Sequence, residues 1–249
     1  MRPLTNSLVL YLLMAGLLSM NLYLVPDFPV SVYIMYIIVI FAVVFYFSKT
    51  IFWGKKLTPG LLYGIALIGI VFLIEIIAGW VRIESINFFN PMLFLSFVIL
   101  QILVAVGEEI SFRGNILQNL ADETGIKTGI ILSSFMFSAI HVPSFIYYGL
   151  DIQRLTIAFI VVGLLGAIAS IIYFNYGLLS AITFHFAWNF LQYNIFNLNR
   201  SEQGIMKTSF TGTNILTGGS FGPEAGVLGL IIVLLALTVL IKKYPQSLN

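Results

Sequence analysis

The 249-residue chain contains no cysteine, which excludes disulfide scaffolds, thiol nucleophiles, iron–sulfur clusters and cysteine-ligated zinc. Charge is almost as scarce, since only 9% of residues are Asp, Glu, Lys or Arg, against about a quarter in soluble domains. So few polar groups cannot cover the surface of a water-soluble core of this size. No basic block with interleaved aromatics occurs, so nucleic acid is not an expected partner. Histidine is limited to two residues, His141 and His185. What the sequence has instead is apolar length: 59% of residues are hydrophobic, and the mean hydropathy is +1.02. These values place the chain in a bilayer, with membrane lipid as its first partner.

About eight apolar stretches approach the roughly 20 residues needed to cross the hydrocarbon core. They run Asn6 to Leu24, Pro29 to Phe47, Gly60 to Trp80, Pro91 to Leu120, Lys127 to His141, Leu155 to Phe174, Leu178 to Phe196 and Ala225 to Ile241. Lipid cannot satisfy bare backbone, and the runs lack the strict alternation of barrel strands, so the fold class is all-α and polytopic. The first stretch reads as a retained span rather than a secretory signal, because no small-x-small cleavage site follows it and Val25-Pro26-Asp27 turns into the next span. With the N-terminus inside, Arg2, Lys49, Lys55, Lys56, Lys127, Lys242 and Lys243 fall on the cytoplasmic side, against Arg82, Arg154, Arg200 and Lys207 outside. Both termini are therefore expected in the cytoplasm. No internal repeat and no second domain is visible, so residues 1–249 read as a single membrane domain. The connection from Asn197 to Glu224 is rich in Gly, Thr, Ser and Asn. Its sequon Asn199-Arg200-Ser201 is too common a tripeptide to carry weight.

Against this apolar background the fourth stretch holds Glu108, Glu109 and Arg113. Each ionised side chain at bilayer depth costs about 2.5–3.5 kcal/mol on insertion scales, so three together require pairing or function. Glu109 and Arg113 are four residues apart, with Glu N-terminal, and pair along one helix face. Glu108 lies about 100° around the helix and is left for chemistry. A wet cytoplasmic cap would explain the stretch equally well, were it not that both histidines also fall in apolar segments, in FSAIH and HFAWN. If the chain turns near Asp122 to Ile126, a rise of about 1.5 Å per residue brings Glu108 and His141 to similar depth, with His185 entering from the same side. Asn189 shares the helix face of His185, and Phe137 that of His141. Phe137 reads as a packing aromatic.

A buried glutamate beside a histidine can act as general base on water. A histidine and an asparagine on one face can supply N–H donors to a developing oxyanion. The roles that follow are Glu108 as base and proton shuttle, His141 as its partner in holding the water, and His185 with Asn189 at the oxyanion. Two imidazoles and a carboxylate also match a His₂Glu set for a divalent metal such as zinc, with Glu108, His141 and His185 as its ligands. The HExxH spacing is absent, and metal-free and metal-assisted hydrolysis both remain open.

The ordered set EExxxR at Glu108 to Arg113, FxxxH at Phe137 to His141 and HxxxN at His185 to Asn189 resembles the CAAX prenyl protease and bacteriocin-processing family, with its type II CAAX prenyl endopeptidases. The resemblance covers roughly Pro91 to Phe196, the expected catalytic core. It implies a multi-pass endopeptidase, and for this chain the cell membrane of a bacterium. Its substrate would be a membrane-associated protein or peptide, in CAAX-type processing or in bacteriocin processing and self-immunity. It further implies catalysis by Glu108, His141, His185 and Asn189, supported by Glu109 and Arg113. The loop TGGSFGPEAG, Thr217 to Gly226, is similar to one that follows the HxxxN helix in many bacterial members, although a Gly-rich turn before a helix accounts for it as well. Two non-enzymatic readings compete. A proton-coupled transporter would also bury acids and histidines, but repeat symmetry and paired broken helices are missing. A membrane scaffold would not need an intact Glu and His set.

Overall fold

In the computed structural model, residues 3–25, 30–47, 51–86, 91–199 and 204–245 are described. Arg2, Lys49 and Arg200 of the orientation argument, the Pro26–Asp27 turn and most of the sequon lie outside the described residues.

Helices α1 (Pro3–Leu24), α2 (Val30–Ala42) and α3 (Thr58–Ile77) precede a short strand, β1 (Val81–Ile86). Helix α4 (Pro91–Ser111) runs through a π-helical segment (Phe112–Ile116) into α5 (Leu117–Thr124), and α6 (Ile126–Ala139) returns to the short α7 (Val142–Tyr147). Helices α8 (Ile152–Tyr176) and α9 (Leu178–Asn189) follow, α9 continuing as a π-helix over Phe190–Ile195. Strand β2 (Met206–Phe210), α10 (Asn214–Thr217) and α11 (Val227–Lys243) complete the chain.

Among the described residues five helical stretches are long and apolar enough to cross a membrane: Leu4–Leu24, Thr58–Ile77, Pro91–Thr124, Ile126–Tyr147 and Ile152–Tyr176. The second, seventh and eighth expected spans are shorter as α-helices, at 13, 12 and 17 residues. In the seventh, the regular helix gives way at Asn189, where polar Gln192 and Asn194 interrupt the apolar run and are buried among protein. Among the described residues the departure from an all-α fold is one antiparallel pair, β1 with β2, whose register shifts between Ile83 and Ser85. The alternation of VRIESI suits a two-stranded ribbon rather than a span.

Local chemistry accounts for the helix limits that matter here. The Asp151 carboxylate accepts the Arg154 N–H at 2.9 Å and starts α8. The Arg154 backbone N–H and guanidinium hold that carboxyl below the usual carboxylate range. The chain reverses at Gly125 between α5 and α6, inside the window expected from sequence. Helix α9 sits on α3 at Gly60 and Gly64, where an added Cβ would collide with the Ser180 and Phe184 carbonyls. Small residues four apart let two backbones approach this closely, which lipid-embedded helices use in place of a hydrophobic driving force. Ser7 of α1 ties to Asn115 and Asn119 through buried hydrogen bonds of 3.3 and 2.8 Å, and Tyr23 donates to the Pro143 carbonyl at 2.8 Å.

Candidate functional site

Glu108 and Glu109 lie in the last turn of α4, at the edge of the π-helical segment that carries Arg113. All three side chains are buried, at 3%, 1% and 1% exposure. The wider π turn re-aims side chains within a continuous helix and is a frequent device at functional sites. Arg113 donates through Nη1 to Glu109 Oε1 at 3.1 Å and through Nη2 to the Gly166 carbonyl at 2.9 Å, with its guanidinium carbon 4.5 Å from the centre of the Phe137 ring. The expected pairing of Glu109 with Arg113 is thus formed, and Phe137 does more than fill space. Its ring supports the cation, and its carbonyl holds His141.

His141 is not within α6 but in the turn joining it to α7. Its Nδ1 lies 2.7 Å from the Phe137 carbonyl oxygen, and since that oxygen can only accept, Nδ1 carries the proton and Nε2 points inward. His185 of α9 is oriented in the same sense. Its Nδ1 is 2.9 Å from Glu109 Oε1, so Glu109 bridges Arg113 and His185. The two inward nitrogens converge on one atom: Glu108 Oε2 lies 3.7 Å from His141 Nε2 and 3.9 Å from His185 Nε2. Among the described residues no group hydrogen-bonds Glu108 Oε2, although it is buried. Separations of this size exceed a direct hydrogen bond and suit a small molecule held between the three groups.

These side chains line a cavity of about 310 Å³ whose wall also includes Asn189, Gln101, Val104, Leu165 and Phe184. The structure therefore gathers Glu108, Glu109, Arg113, His141, His185 and Asn189 in one place. Among the described residues no group of three or more His, Asp or Glu side chains is spaced to hold a metal ion.

Among the residues outside the expected core that reach the same cavity are Tyr36, Glu224 and Phe221. Tyr36 of α2 donates its hydroxyl to Glu108 Oε1 at 2.6 Å, and its ring packs on Gly107, where an added Cβ would meet Tyr36 Cδ1 at 2.7 Å. Glu224 is buried in the connection ahead of α11 and accepts from Trp188 Nε1 and Gln192 Nε2, both at 2.7 Å. Burial holds its carboxyl above the usual carboxylate range, and the bonds from Trp188 and Gln192 offset only part of that rise. Phe221 meets Phe145 edge-on with ring centres 5.3 Å apart, and Phe145 lies against His141. Tyr36 sits in an unbroken apolar run with no polar neighbour to mark it. Glu224 was visible as the acid of GPEAG but reads from sequence as a helix-start residue.

Fold and site together define a polytopic helical membrane protein with a buried pair of acids facing two histidines. Residues 90–191 match the family model described as type II CAAX prenyl endopeptidase Rce1-like, so that over this stretch the chain is similar to that protease family. The match contains all three motifs and ends two residues beyond Asn189. No curated protein matches the chain.

Proposed function

We propose that the chain is an intramembrane endopeptidase in which Glu108 activates water against a peptide bond of a membrane-associated protein or peptide. The observation that carries this reading is the convergence of Glu108 Oε2, His141 Nε2 and His185 Nε2 within 3.9 Å in a buried cavity. A water there donates one proton toward Glu108 Oε2 and the other toward His141 Nε2 while its oxygen attacks the carbonyl carbon. The carbonyl oxygen, now anionic, accepts from the Asn189 amide and from Nε2–H of a doubly protonated His185. That charge state suits the cluster, because Arg113 and His185 then balance Glu108 and Glu109 in a medium that penalises net charge. Glu108 passes its proton to the leaving nitrogen, the C–N bond breaks, and the acid product gives the second water proton to His141 Nε2, so that a carboxylate and an amine leave and His141 then returns that proton to solvent. Tyr36 holds Oε1, so that Oε2 is the working oxygen. No step is routed through a metal.

The wider frame is eight membrane-embedded segments forming a single domain, with a catalytic core over about 91–196, both termini cytoplasmic and residence in a bacterial cell membrane. Cross-contacts support the alternation of direction. β1 and β2 pair the connection after α3 with the connection after α9. At the opposite ends, Leu178 and Leu179 bond to the Phe52 and Trp53 carbonyls, and Lys243 donates to Tyr63 at 3.0 Å. CAAX-type processing and bacteriocin processing or immunity are the two settings the family carries.

The test is cleavage of a peptide library by detergent-purified protein, read by mass spectrometry, for wild type, Glu108→Ala and His185→Ala. Wild type is expected to cut and both variants to lose cutting. Cleavage that persists in both would sink the assignment to Glu108 and His185, and a wild type that cuts nothing would leave a scaffold or proton carrier as the better account.

A further inference from the structure

Glu224 is a buried acid in the cavity wall that the proposed reaction does not use. Its two oxygens accept from donors one helical turn apart on α9, Trp188 and Gln192, and these bracket the point where α9 passes from α- to π-helix at Asn189. Trp188 is the neighbour of Asn189 in sequence and lies three residues beyond His185. A change of helix type rotates every later side chain around the axis, so a helix containing one needs an external contact to fix its angular setting.

The loop is built to deliver that contact. Gly222 has φ of +103°, and an added Cβ would lie 2.7 Å from Gln192 Nε2 and 3.3 Å from Glu224 Oε2. Any side chain there would displace the bond between them. Gly218 folds against Gly222, and Gly226 against Gly218, so the glycine density of Thr217 to Gly226 has a structural purpose beyond starting α11. A carboxylate buried merely to cap a helix would not need both oxygens committed to another helix.

We infer that Glu224 is a positioning residue, clamping Trp188 and Gln192 so that His185 and Asn189 keep their aim at Glu108. The inference rests on the hydrolytic reading for its effect on turnover, but not for its effect on geometry. The chain has two histidines and three tryptophans, so selective ¹⁵N labelling gives two imidazoles and three indole N–H groups to follow in detergent micelles. In Glu224→Gln, the Trp188 indole and the His185 ring signals are expected to shift, with His141 unmoved. In the peptide-library assay kcat is expected to fall about 10- to 100-fold with KM nearly unchanged, the scale of a small misplacement of reacting groups. Glu224→Asp should recover part of the loss. Trp188→Phe leaves the acid in place, removes one donor and should move His185 in the same direction; it carries the test if Glu224→Gln does not fold. A His185 signal that stays put while Trp188 moves would overturn the inference, as would a change in KM alone, which would make Glu224 a substrate contact. Movement of both signals in Glu224→Gln, together with a wild-type protein that cuts no peptide, would instead remove the hydrolytic reading and leave the clamp standing.

Discussion

The Tyr36 hydroxyl lies 2.6 Å from Glu108 Oε1, joining a helix outside the matched family segment to the acid at the centre of the site. A phenol donating to one carboxylate oxygen lowers that oxygen's basicity and fixes the plane of the group, so the other oxygen faces the imidazoles. Tyr36→Phe keeps the ring on Gly107 and removes only the hydroxyl. Turnover should fall about 10-fold, the value of one hydrogen bond to a charged group, with the thermal midpoint little changed. Gly107→Ala should cost more, because the new methyl displaces the ring. Single-turnover cleavage beside thermal unfolding in detergent separates the two effects.

In the proposed mechanism Asn189 supplies an oxyanion donor that needs no protonation. Asn189→Ala should lower kcat by about 10²- to 10³-fold with KM close to wild type, as loss of such a donor does elsewhere. Steady-state kinetics on the best library peptide measures it. A rise in KM with kcat intact would place Asn189 in substrate binding instead.

The Arg113–Glu109 pair makes a stability prediction. Arg113→Met leaves Glu109 with His185 Nδ1 and the buried cluster one positive charge short, and should destabilise the fold by about 3 kcal/mol. Adding Glu109→Gln removes the excess negative charge and should return a large part of that loss, although the orientation of His185 then suffers. A double-mutant cycle by denaturant titration reports the coupling.

Hydrolysis by Glu108 directly on water should survive metal removal. Dialysis against a strong chelator, followed by zinc add-back, is expected to leave turnover within about twofold throughout, a margin set against the 10²–10⁴ that general-base catalysis contributes. Loss on chelation with recovery on zinc would transfer Glu108, His141 and His185 to the role of ligands.

The charged part of the site was legible because polarity inside an apolar run is conspicuous: Glu108, Glu109, Arg113, His141, His185 and Asn189 are each anomalies against leucine and isoleucine. Helical spacing and chain-reversal counting were enough to bring Glu108 and His141 together. Tyr36 left no such mark, since tyrosine is at home in membrane helices and its partner lies 72 residues away. Helix type was equally hidden. Nothing in FRGNI or FLQYNI separates a π turn from an α turn, although both segments bury polar side chains, Arg113 and Asn115 in one and Gln192 and Asn194 in the other. The sheet was missed because VRIESI and MKTSF are short, and their pairing depends on a contact across some 120 residues.

The close seating of α3 on α9 bears on how far the site can be reduced. Gly60 and Gly64 lie outside residues 90–191, as do Tyr36 and Glu224, yet α3 supplies the flat bed on which the His185 helix rests. A fragment trimmed to the matched segment would keep each motif and lose the surface that aims one of them. Its α9 would be turned toward lipid along the flank that α3 now covers, with buried Ser180 and Trp188 exposed to hydrocarbon. The motifs are therefore parts of a mechanism whose frame is the whole bundle, and the chemistry cannot be carried to another protein by transplanting them alone.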